Sequence, residues 1–202
     1  MCNKIFQFKP HIRGRSGVFM CKILENIKDK TAKELLKEYG VSPEPPVNLT
    51  KLLENAGISA KGIDFTEVEN AAGYERGTIL GAAISNGENL TVFYRKEDSE
   101  NRKRFTIAHE LAHCCLHSDN LKKNHIELRN SENKDSYREW AANIFAGELL
   151  IPEESLEKVY NDLLIPSLLT LAKIFGVSTN VMAARLDYLK KPYLKDTEYS
   201  FL

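Results

Sequence analysis

The stretch RFTIAHELAHCCLHSD, residues Arg104 to Asp119, limits what this chain can fold into more than any other segment. Phe105, Ala108, Leu111, Ala112, Cys115 and Leu116 recur at helical spacing and cover most of the circumference. Such a helix has to lie inside the molecule, covered on several sides by other elements. It also carries His109, Glu110 and His113, which burial would take out of water. A buried carboxylate or imidazole is costly unless it is paired, neutralised or set beside a cation. The fold must therefore enclose this helix and supply whatever satisfies its polar groups.

Residues four apart stand one above the other on a helix, so His109 and His113 can direct their imidazoles at a single point. The pattern is H-E-x-x-H, in which two neutral imidazoles bind Zn²⁺ and the intervening glutamate stays outside the coordination sphere. Two imidazoles leave the site one protein ligand short. His117 continues the series, but it lies about 12 Å along the axis from His109. Both cannot reach one ion at about 2 Å. The extended pattern, with Gly and a third His further along the same run, is absent because Leu116 and Asp119 occupy those places.

A third ligand is therefore expected from another element. DSYREWAANIFAGELLIP reads as a helix with Glu139 in its first turn, and Ala142 and Ala146 keep the neighbouring face small enough for close approach to the histidine helix. Glu139 can then reach the metal. Ser136 and Glu139 also fit a capping box, which would explain Glu139 without any metal. His117 and His125 read as surface or supporting histidines. Asn143, one turn after Glu139, can orient a ligand or simply pack.

The rest of the chain supplies the enclosure. Its 202 residues, 43% hydrophobic, suffice for one globular core and a small helical satellite. Lys+Arg 28 against Asp+Glu 28 gives a formal net charge of zero, so no global field favours nucleic acid or an anionic membrane. No apolar run approaches the roughly 20 residues of a membrane span. The start lacks a secretory core, so a cytoplasmic protein is expected. Cys2, Cys21, Cys114 and Cys115 lack the spacing of a disulfide framework or a CxxC site and read as reduced structural thiols.

The basic opening MCNKIFQFKPHIRGRSGVFMCK reads as an extension before a second start at Met20, where a helical pattern begins. The Pro-rich VSPEPPVNLTKLLENAG leads into a short helix capped by Asn48 and closed by Gly57. ISAKGIDF, TILGAAIS and NLTVFYRK read as strands, with a hairpin near SNGEN. Helical patterns follow over roughly 101 to 117, 136 to 150 and 166 to 189. Strands and helices in blocks indicate an α+β fold. The expected division is an N-terminal extension and helix over 1–46, a site-bearing domain over 47–152 and a helical C-terminal region over 153–202.

RFTIAHELAH, then EWAANIFAGELLIP, then LAKIFGVSTNVMAARLDYL resemble the ImmA/IrrE family of metallopeptidases over roughly residues 90 to 190. In the second motif Glu139, Asn143, Phe145, Ala146, Leu149, Leu150 and Pro152 stand in the matching places. Ala112 stands where many relatives have Gly. The resemblance implies a compact, gluzincin-like domain with zinc ligands His109, His113 and Glu139 and with Glu110 as catalytic base. It also implies a helix-turn-helix-like C-terminal part and a substrate that is a helix-turn-helix repressor or antitoxin of a phage or mobile element.

Two function classes follow. The first is a zinc endopeptidase acting on a partner protein, with the peptide extended along a sheet edge such as NLTVFYRK. Tyr94, Tyr137 and Arg138 are candidate oxyanion donors. The second is a DNA- or protein-binding regulator that keeps a structural metal. Its DNA-reading form relies on TNVMAARLDYL, whose one early cation is Arg185 and which is otherwise poor in basic or amide groups, so DNA binding is not expected.

Overall fold

The computed structural model describes residues 21–85, 88–118, 126–130, 136–163 and 166–194, the segment 126–130 and Ser136 by backbone alone. The extension before Met20, Cys2, His125 and the tip of the SNGEN turn lie outside these residues, as does the side chain of Ser136. The chain is α+β. Its elements run α1 (Lys22–Ile27), α2 (Ala32–Glu38), α3 (Leu49–Ala56), β1 (Ile58–Ile63), α4 (Thr66–Ala72), β2 (Ile79–Ser85), β3 (Leu90–Arg95) and α5 (Glu100–Leu116). Then follow β4 (Ile126–Asn130), α6 (Ser136–Leu150), α7 (Glu153–Asp162), α8 (Leu168–Phe175) and α9 (Thr179–Tyr188).

Local chemistry sets many of these boundaries. Thr31 and Glu34 form a reciprocal capping box at the start of α2, Glu34 N–H donating to Thr31 Oγ1 at 3.3 Å and Thr31 N–H to Glu34 Oε2 at 2.8 Å. Asn48 caps α3 by accepting from Lys51 N–H at 3.0 Å, and Gly57 ends it at φ 71° in the left-handed region, as the sequence predicts. Ser167 and Ser178 accept from Thr170 N–H and Val181 N–H at the starts of α8 and α9. The helical pattern over 166 to 189 is two helices parted at Gly176 (φ 63°), with Ser178 capping the second.

The four described strands lie in the order β1-β3-β2-β4. β1 runs parallel to β3, whereas β2 is antiparallel to both β3 and β4. β3, the strand NLTVFYRK, is therefore flanked by β1 and β2 and is not an edge. The expectation that a peptide pairs with it is corrected: both rows of its backbone groups are used within the sheet. The alternating pattern identified the strand but carried no information on its neighbours.

One face of the sheet meets α5, which packs in turn against α6. Ile58, Ala83, Leu90 and Val92 join Leu111, Ala142, Phe145, Leu149, Phe175 and Leu186 in one core that extends from Cys21 to Leu186. The opposite face carries a smaller cluster of Phe65, Ile79 and Ala82, with Val68 and Tyr74 from the α4 excursion against it. The histidine helix is enclosed as expected, buried at Thr106 and throughout 108–115. Leu116 is the exception, 37% exposed at its end. No helix among the described residues is long and apolar enough to cross a membrane.

Candidate metal centre

α5 packs extensively against α6, where Ala142 and Ala146 present no bulk at the seam and are fully buried. This brings the first turn of α6 over the second half of α5. His109 Nε2 and His113 Nε2 lie 3.0 Å apart. Glu139 Oε2 is 3.2 Å from the first and Glu139 Oε1 is 3.2 Å from the second. The structure thus brings together His109, His113 and Glu139, whose ligand atoms all lie within 4.8 Å of one another.

The supporting contacts decide how these atoms are presented. His109 Nδ1–H donates to Asn143 Oδ1 at 2.9 Å, one turn along α6 from Glu139. That bond fixes the ring so that Nε2 offers its lone pair toward His113 and Glu139. Of the two uses open to Asn143 from sequence, the structure gives it the orienting one. Lone pairs of two imidazoles and a carboxylate set 3.0 to 3.2 Å apart repel unless a cation stands among them. Ligands at about 2.0–2.1 Å around a tetrahedral ion are themselves roughly 3.3 Å apart, so the spacing and the N, N, O donor set fit a divalent metal such as zinc. The Glu139 carboxyl is held well below the usual carboxylate range: burial raises it, and the facing rings of His109 and His113 lower it by more.

Glu110 is fully buried on the sheet side of α5. Its Oε1 lies against the backbone of Gly81 on β2, 2.8 Å from where a Cβ would stand. Sequence reasoning passed over Gly81, since only a known neighbour distinguishes a glycine needed for space from one in an ordinary small-residue strand. His117 sits beyond the end of α5 with its ring centroid 5.5 Å from that of His113, a neighbour and not part of the three-residue group. Of the candidate oxyanion donors, Tyr94 leans over Gly62, and Tyr137 is 71% exposed and stacked on Trp140. Arg138 is half-buried at the start of α6.

Arg185, the cation on which a DNA-reading surface depended, is buried at 5% exposure. It donates to the Ile151 carbonyl at 3.3 Å and lies 3.6 Å from Glu148. The guanidinium is committed inside the α6–α9 contact. Cys21, Cys114 and Cys115 are buried and form no disulfide among the described residues.

Compared with known families, residues 62–187 match the family described as Peptidase_M78, the IrrE N-terminal-like domain. No curated protein matches the chain.

Proposed function

The chain belongs to the Peptidase_M78 family, and from that premise we propose that it is a zinc-dependent endopeptidase of the cytoplasm that cleaves a partner regulatory protein. The partner is a helix-turn-helix repressor or an antitoxin of a phage or mobile element. Residues 47–152 are the zincin-like peptidase domain, preceded by an N-terminal part over 1–46 and followed by a helix-turn-helix-like part over 153–202. One observation carries the reading: the convergence of His109 Nε2, His113 Nε2 and the Glu139 carboxylate, with Glu110 buried one residue from His109. The buried cysteines Cys21, Cys114 and Cys115 are in keeping with a reducing compartment.

In this reading His109, His113 and Glu139 hold Zn²⁺, and Asn143 keeps His109 in the tautomer that can bind. When bound, the metal supplies Lewis acidity toward the scissile carbonyl and acidifies the attacking water. Glu110 accepts that water's proton and later returns one to the departing amine. Its burial keeps competing solvent from the carboxylate. The substrate strand lies along β4, because β3 is occupied on both sides and β4 borders β2, the strand whose Gly81 faces Glu110.

The test is elemental mass spectrometry on wild type, E110Q and E139A, together with cleavage of the repressor-like protein encoded nearest the gene. Zinc near one per chain in wild type and E110Q, reduced zinc in E139A, and cleavage by wild type alone are expected. An E110Q protein that keeps its biological function would instead mark a regulator with a structural metal.

A further inference from the structure

We propose that Gly81 is a positioning residue for Glu110: by leaving β2 without a side chain under α5, it makes the bay that sets the height of the Glu110 carboxylate beside His109 and His113. This inference rests on the reading of the site as a peptidase centre. Gly81 does not need its backbone freedom, since its φ lies outside the left-handed region. What the position demands is space. A Cβ there would stand 2.6 Å from Thr106 Cγ2, 2.8 Å from Glu110 Oε1 and 3.2 Å from the Phe93 carbonyl oxygen. Real Cβ atoms do not come within 3.0 Å of such neighbours, so at Thr106 and Glu110 something must move.

Two features of the sheet prepare this bay. The pairing of β2 with β4 is irregular between Ile79 and Gly81. In a regular strand those two residues would share a face. Here Ile79 enters the cluster on the far side of the sheet while Gly81 turns to α5. The second feature is Tyr94, the residue paired with Gly81 on β3. Its ring leans the other way, over Gly62 of β1, where a Cβ would meet Tyr94 Cε2 at 3.0 Å. One glycine takes the ring, and the other is left open for the carboxylate.

The competing account is that Gly81 only lets α5 pack closely through Thr106, one turn before Glu110. The two accounts separate because Thr106 is a stiff β-branched side chain on the helix whereas the Glu110 carboxylate ends a flexible one. T106S removes the offending methyl, so in G81A/T106S the remaining helix-side clash is with Glu110. The readout is acetohydroxamate affinity of the zinc-loaded proteins, alongside zinc content and melting temperature. The hydroxamate proton is expected to be taken up by Glu110, so E110Q should weaken binding roughly tenfold, the effect of losing one charge-assisted hydrogen bond.

T106S should bind hydroxamate like wild type, and G81A/T106S should bind as weakly as E110Q while keeping its zinc. Should G81A/T106S lose zinc, adding E110A must restore it, because the displaced carboxylate is then gone; failure of that rescue overturns the inference. A G81A/T106S protein that binds both zinc and hydroxamate like wild type overturns it alone, with the peptidase reading intact. Wild type without zinc, or E110Q indistinguishable from wild type, overturns that reading and this inference together.

Discussion

Two clusters of polar side chains lie on opposite faces of one sheet, and they are balanced in different ways. On the α4 side Glu69, fully buried, accepts from Gly77 N–H at 3.1 Å and from Ile79 N–H at 2.8 Å and is bonded to Arg95. Arg95 in turn donates to the Ile79 carbonyl at 2.8 Å and lies over the Phe65 ring. Donors and acceptors there come from the chain itself. On the α5 side His109, His113 and Glu139 turn three electron pairs toward one another. The two sets thus have different roles: a group balanced by its own chain holds the structure, and a converging set of acceptors calls for a cation from outside.

The strongest way to break this contrast is at Glu110. E110Q should lower cleavage by about 10²–10⁴-fold, the worth of a positioned base, with zinc content and melting temperature unchanged. On the other face E69Q should do the reverse: a loss of about 3–5 kcal/mol in urea unfolding, because Arg95 is left buried without its partner, and no loss of zinc. If E69Q removes zinc while stability holds, the division of roles is wrong. N143A should weaken zinc binding about 10–100-fold in a chelator competition, by freeing the His109 ring.

The smallest expected effect is on pH dependence. The Glu69 carboxyl is held below its ordinary value of 4.5: burial pushes it up, but the Arg95 bond and the Ile79 and Gly77 N–H groups more than offset that. A depressed folded-state pKa contributes stability above the unfolded value and loses it as pH falls through the folded one. The urea midpoints of wild type and E69Q should therefore be furthest apart near neutrality and approach each other on acidification below about 4.5. A gap that stays constant from neutral to acid would remove the carboxylate's charge from the account.

The i, i+4 pair of His109 and His113 was legible in sequence because a helix repeats every 3.6 residues whatever surrounds it. The caps at Asn48 and Gly57 were legible for the same reason, their chemistry being local. Glu139 could be nominated but not separated from a capping role, since the distance between two helices is not written in either one. Strand order was not legible at all: β3 reads equally well as an edge or a centre, and only the β1-β3 crossover makes it central. The short helix α4 and the strand β4 escaped detection because pieces of 5 and 7 residues carry little periodicity. Glu69 gave no signal, since its partners Arg95 and Ile79 become neighbours only after the sheet forms.

The start of α5 is tied to segments distant in the chain. Arg104 donates to the carbonyls of Val47 and Gly176, each at 3.0 Å, and Asn101 donates to that of Val177 at 3.0 Å. These bonds span 57, 72 and 76 positions, so the helix carrying both histidines is docked at once to the Pro-rich entry and the α8–α9 turn. Contacts of such long separation form late in folding, because loop closure must come first. A nascent chain that lacks α8 and α9 carries the complete HELAH motif and the Val47 bond but is without two of these three ties at the start of α5.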